Sequence, residues 1–174
     1  MNVLLPKQFN VDKIKYSEMK VMKSGAKSVY LNYQGSKINI QTPVLSIPYG
    51  VNDNTQFIKD DPKRKDEARK YDITASFKGK DENPKLQAFH DKLIELEQKI
   101  CEDASKNSVA WFKKNFDGNK GAIENMFSPI VRRDKDKETG MFADKYPPNF
   151  KAKLPYDSVE DKFESCGKKG TGPW

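Results

Sequence analysis

The chain has 174 residues, of which 33% are charged and 36% hydrophobic, and a net charge of +7. That length bounds one domain with a modest core; no run approaches the roughly 20 apolar residues of a membrane span, and two cysteines with one histidine cannot supply a zinc site. An excess of cations favours an anionic partner, nucleic acid foremost, although moderate basicity is also common in proteins that bind none.

The opening residues carry an apolar stretch too short for a signal peptide. Cys101 and Cys166 are expected to be reduced thiols, in keeping with a place inside a cell. From Phe9 to Met22, apolar residues interleave with lysines in an imperfect period of two, which predicts one long or bulged strand. A turn at Ser24-Gly25-Ala26 leads to Ser28–Tyr33, and Gln34-Gly35-Ser36 separates that segment from Lys37–Thr42, a hairpin signature. Pro43 and Pro48 then stop regular pairing or confine it to an edge. A polar region from Tyr49 to Lys70 carries the cluster Lys63, Arg64 and Lys65, expected on a loop. Tyr71–Phe77 alternates cleanly and is read as a strand.

Asn83-Pro84 supplies a helix start, with asparagine as the cap and proline at the first helical position, where its missing N–H costs nothing. Leu86, Phe89, Leu93, Leu96, Ile100 and Ala104 follow at spacings of three and four, the stripe that packs a helix on a sheet. This helix, Pro84 to Asn107, holds four lysines against five acids, so the positive charge lies outside it. Shorter helical pieces are expected at Ser108–Asn115 and Ile123–Phe127.

Ser128–Tyr156 is read as a cationic strand pair. Pro129-Ile130-Val131-Arg132-Arg133 opens it, a charged turn ends at Gly140, and Phe150-Lys151-Ala152-Lys153-Leu154 alternates apolar with basic residues. Strands, one long helix and strands again give an α+β fold, mainly antiparallel, as an OB-like barrel or an open sheet with the helix inserted. Residues 1–174 are expected to form a single domain, with about 157–174 as a flexible tail or truncated end.

Candidate chemistry is sparse. His90 lies beside Phe89 on a core-packing helix, a boundary position more than that of a general base. Gly79-Lys80 and Gly167-Lys168 are followed by Asp81 and Lys169, so neither completes a phosphate-cradling loop. Asp134, Asp136 and Glu138 open like a calcium loop, but Thr139 stands where glycine is required and Lys145 where glutamate is. No catalytic residue, metal or cofactor is therefore expected.

Cations mixed with aromatic rings remain. Unpaired bases stack on rings while lysine and arginine follow the phosphates. Arg132, Arg133, Lys151 and Lys153 are the leading cations, supported by Lys37, Lys145 and the Lys63, Arg64, Lys65 cluster; Tyr30, Tyr33 and Tyr146 are the leading rings. Tyr30 and Tyr33 are an odd number of residues apart, so on a regular strand at most one faces a ligand. Trp111, Phe112 and Phe150 are expected in the core.

The blocks ASKNSVAWF at 104–112, SPIV at 128–131, KDKETG at 135–140 and YPPNFKAKLP at 146–155 resemble, in order, the single-stranded DNA-binding proteins of large eukaryotic DNA viruses, themselves distantly similar to those of some tailed phages. The similarity covers Tyr71–Tyr156. It implies an OB-type barrel that coats single-stranded DNA during replication, recombination or repair, without catalysis, in the cytoplasm or nucleus of a host cell. RNA as ligand, and replication proteins as further partners, stay open. So does a non-catalytic structural or protein-interaction module of a viral replication or virion complex.

Overall fold

A computed structural model of the chain describes residues 3–23, 25–55, 70–143, 145–157, 160 and 162–163. The architecture is α+β, with antiparallel sheets and one long helix between strands. Of the two expected sheet forms the open one is found: among the described residues no sheet closes into a barrel. The chain is organised as two compact units, each assembled from separate stretches. Unit 1 comprises Met1–Val44 and Gly79–Arg132, and unit 2 comprises Leu45–Lys78 and Arg133–Trp174.

Unit 1 is built on helix α1, Pro84–Lys106. The Asn83 side-chain oxygen accepts from the N–H groups of Lys85 and Leu86 at 3.1 and 3.3 Å, satisfying donors that have no partner within the helix. Leu86, Phe89, Leu93 and Leu96 are buried along the expected stripe. Strand β1 (Ile14–Tyr16) pairs antiparallel with β4 (Leu31–Tyr33), which turns into β5 (Ser36–Lys37), while β2 (Lys20–Val21) and β3 (Lys27–Ser28) form a separate ribbon. Gln34 and Gly35 both have positive φ, at 48° and 79°, the backbone that a two-residue hairpin turn demands. Phe9, Val11, Ile14, Tyr33 and Leu96 form a core cluster that Ile100 and Ile130 extend.

The single strand expected from Phe9 to Met22 is instead one short 3-10 turn, Val11–Lys13, followed by β1 and β2; another such turn, Pro6–Gln8, precedes it. Asn10 is the physical reason. Its side chain accepts from the Asp12 N–H at 2.9 Å, starting a helical turn in competition with the ladder. The second half of unit 1 continues through α2 (Ser108–Phe112) and α3 (Lys120–Met126).

Unit 2 holds a three-stranded sheet in the order β6 (Val51–Asp53), β7 (Tyr71–Ser76), β8 (Asn149–Leu154). Ala75 and Phe77 are fully buried, and Phe77 packs on Phe150 with ring centroids 5.5 Å apart. Beyond β8, β9 (Tyr156–Asp157) pairs with β10 (Lys162–Phe163), and Tyr71, Tyr156 and Phe163 form a triangle of rings with centroids 4.8–5.2 Å apart. Within the segment expected as a tail from about 157, Lys162 and Phe163 are paired and Phe163 packs on two rings; residues 164–174 lie outside those described.

Ser128–Tyr156 is not a strand pair. Among the described residues only Asn149–Leu154 within it is a strand of the sheet, together with Tyr156 in β9; Lys135 and Phe142 form an isolated bridge, and Arg132 also takes a bridge position. Pro129, Pro147 and Pro148 lack a ladder donor, and the Val131 N–H is taken by the Glu97 carboxylate of α1 at 2.6 Å. No helix among the described residues is long and apolar enough to cross a membrane.

Candidate nucleic-acid interface

On β8 the alternation read from the sequence holds. Lys151 and Lys153 are exposed on one face, while Phe150 is buried on the other. Antiparallel pairing then sets Thr74 opposite Lys151 and Asp72 opposite Lys153, so an acid shares the basic face. The Asp72 carboxylate accepts from the side-chain amides of Asn52 and Asn54 at 2.8 and 2.7 Å, with Lys151 Nζ at 3.5 Å. Partial burial pushes this carboxyl up, but the two amides and Lys151 outweigh it and hold it below the ordinary carboxylate range. Two lysines around one carboxylate replace the expected row of cations.

Arg133 opens the returning half of unit 2, and the loop it begins is more informative than the strand. Asp136 builds the turn: its carboxylate accepts from the N–H groups of Glu138 and Thr139 and from the Thr139 hydroxyl. Those bonds hold its carboxyl below the usual range. The residues that resembled a calcium loop are thereby used as turn chemistry. Across the loop, the Phe142 ring is 58% exposed, with the Arg133 guanidinium 4.4 Å and Lys135 Nζ 5.2 Å from its centroid. Tyr146 is 60% exposed and has Lys145 Nζ at 5.3 Å. Rings left in water beside cations offer a stacking surface and a phosphate contact together.

In unit 1, Tyr30 is half exposed and carries Lys20 Nζ at 5.6 Å. Tyr33 is buried in the core, 5.3 Å from the Phe9 ring, and its hydroxyl oxygen accepts from the Asn10 N–H. Of this pair, Tyr30 alone presents a ring to solvent. Lys37 is exposed on β5, and Arg132 is exposed at the end of unit 1. Arg132 and Arg133, adjacent in sequence, therefore belong to different units. Lys63, Arg64 and Lys65, like Phe57, lie outside the described residues.

The sequence reading had not singled out Phe142 or Lys135. Its available signal was an aromatic residue two positions after the Gly140 turn with cations on both sides. Phe112, expected in the core, is 42% exposed, whereas Trp111 is half-buried and Phe150 is buried as expected. His90 sits on α1 with Nδ1 2.9 Å from Asp91 Oδ1. Among the described residues no three His, Cys, Asp or Glu side chains are grouped to hold a metal ion. Comparison of the chain with protein-family models, with curated proteins and with solved structures finds no match in any of the three.

Proposed function

We propose that this chain binds single-stranded DNA without marked sequence preference and without catalysis, as a protein of viral replication, recombination or repair acting in the host cytoplasm or nucleus. One observation carries the reading: the exposed rings Tyr30, Phe142 and Tyr146 each have a lysine or arginine within 5.6 Å of the centroid. Singly exposed rings are common on protein surfaces; what marks these three is the cation beside each, and base stacking rewards such rings for any of the four bases. Lys151 and Lys153 add phosphate contacts in the same unit as Phe142 and Tyr146. The ordered resemblance of Tyr71–Tyr156 to viral single-stranded DNA-binding proteins points to the same ligand.

Fluorescence anisotropy of labelled oligo-dT at several salt concentrations tests this. Binding in the micromolar range or tighter is expected at low salt, with log K falling against log salt at about −0.7 per neutralised phosphate. A flat salt response, or no binding at low salt, removes the proposal. A parallel titration with oligo-U separates DNA from RNA preference.

A second reading, a non-catalytic structural or protein-interaction module of a replication or virion complex, draws on the exposed side chains Ile47, Tyr49 and Val51. They recur at every second position toward β6, an edge strand of its sheet, and have no cation paired to them among the described contacts. The loop 133–146 also contains four cations and four acids, so its attraction for a polyanion is short-ranged. Capture of a protein partner that survives nuclease, with no oligonucleotide bound, favours this second reading.

A further inference from the structure

Most of the chain's net positive charge lies in a segment that precedes the motif blocks resembling viral proteins. Residues 1–44 hold seven lysines against Asp12 and Glu18, a net of +5 in a chain of +7, and all seven lysines are exposed. Within this segment the β2–β3 ribbon places Lys20 opposite Ser28 and Val21 opposite Lys27. Alternation gives the ribbon two faces: Tyr30 meets Lys20 on one, and Met19, Lys27 and Val29 belong to the other.

That second face, with Trp111 and Phe112 of α2, lines an open groove of about 490 Å3, within the roughly 300–1,000 Å3 of small-ligand sites. Its aromatic wall is held from behind. The Trp111 ring lies 5.0 Å from that of Tyr16, whose hydroxyl donates to Asp103, and Asp103 is itself paired with Lys99. Lys27 is the one ionised side chain among the described lining residues, and exposed Lys113 and Lys114 directly follow Phe112. Among the described residues no carboxylate lines the groove.

We propose that this groove is a nucleotide subsite, holding one unpaired base against Trp111 and Phe112 with its phosphate on Lys27. It gives unit 1 a contact with a single strand in addition to Tyr30. The inference rests on the reading of the chain as a single-strand binder. Flat apolar walls suit a base, because every base has a π-face and sheds water on stacking. A surplus of five positive charges in the same segment raises the local concentration of a polyanion.

Trp111 is also the reporter. The chain has two tryptophans, so in Trp174→Phe all indole emission comes from Trp111. Labelled oligo-dT is titrated into this variant while anisotropy and tryptophan emission are recorded together. Quenching of Trp111 is expected to track saturation of the oligonucleotide. Phe112→Ala is expected to weaken binding about tenfold through lost stacking, and Lys27→Ala, an exposed change that leaves the fold intact, to reduce the salt slope by about 0.7. Phe142→Ala is expected to shift the titration to higher concentration while leaving the amplitude of the Trp111 quench at saturation unchanged. Oligonucleotide binding with unchanged Trp111 emission and an unchanged slope in Lys27→Ala overturns the groove proposal and leaves the single-strand reading standing. Quenching by a tyrosine-containing oligoglutamate but not by oligo-dT assigns the groove to an acidic peptide instead and overturns it too. Absence of any anisotropy change at low salt overturns the single-strand reading itself.

Discussion

Phe142→Ala separates stacking from charge at one position. The ring is 58% exposed and belongs to neither core cluster of the described residues, while its backbone is fixed by the bridge to Lys135 and the Asp136 turn. Removing the ring therefore costs the fold little: two exposed cation–π contacts of about 0.5–1 kcal/mol each, partly recovered by hydration of Arg133 and Lys135. Binding loses more. A base stacked on this ring contributes about 1–3 kcal/mol, so the dissociation constant is expected to rise at least fivefold and up to about a hundredfold. Because no cation is removed, the salt slope is expected to stay at its wild-type value. Arg133→Ala is expected to do the reverse, reducing the slope by about 0.7 with a smaller loss of affinity at high salt. Anisotropy titrations of oligo-dT between 50 and 200 mM salt, with circular dichroism to confirm folding, read both effects. A Phe142→Ala protein that binds within twofold of wild type at every salt concentration refutes the stacking role.

Asp72→Asn should move stability and affinity in opposite directions. It removes a carboxylate that accepts from two amides and faces Lys151, costing about 1–3 kcal/mol in a urea melt. Yet it removes one negative charge from the lysine face, and the repulsion of a phosphate taken at roughly 7 Å is worth about 0.6 kcal/mol in water, so oligo-dT binding is expected to tighten about two- to threefold at low salt. Asn83→Ala deletes the cap of α1 and should lower stability by about 0.5–2 kcal/mol without changing the salt slope. Alkaline behaviour is set by unit 1. Burial first, then Asp103, raises Tyr16 well above its ordinary 10.0, and Asp103 raises Lys99 above 10.5. Both folded values exceed the unfolded ones, so their stabilisation is full below pH 10 and is lost as the pH climbs through the raised values. Tyr16→Phe is expected to lose about 1.5–3 kcal/mol at pH 8 and to show a flatter decline in thermal melts above pH 10.

What the sequence made legible was local. The start of α1 is announced by Asn83-Pro84, and its buried face by a stripe at three- and four-residue spacings, because both depend on residues within two turns of each other. Strand β7 and the two faces of β8 follow from alternation alone. What stayed hidden depends on long-range pairing. The Asp72 carboxylate reaches the lysine face only once the register of β7 on β8 is known, and Val131 is diverted from a strand by Glu97, 34 residues away. Phe142 and Phe150 both sit near lysines in the sequence, yet one ring is in water and the other is packed on Phe77. Only tertiary contacts decide between them. The same holds for Arg132 and Arg133, neighbours that continue into separate units.

The exposed rings of Tyr30, Phe142 and Tyr146 are already occupied by cations in the free protein, which bears on how a strand would be taken up. A base that stacks on Phe142 competes with Arg133 and Lys135 for the ring, while the incoming phosphates compete with the ring for those cations. The exchange gives up exposed cation–π contacts of about 0.5–1 kcal/mol and gains stacking of about 1–3 kcal/mol, together with released counterions. Both partners of each pair therefore end in better contacts than they left. The pairing also limits the rotamers of Arg133, Lys135 and Lys145 before binding, which lowers the ordering cost of about 0.5–1.5 kcal/mol per long side chain. A neutral loop built in this way attracts little from a distance and holds what reaches it, whereas the lysine-rich residues 1–44 supply the long-range field. Capture by charge in unit 1 and retention by stacking in both units are then separable: raising salt should slow association chiefly through the lysines of residues 1–44, and loss of Phe142 should speed dissociation.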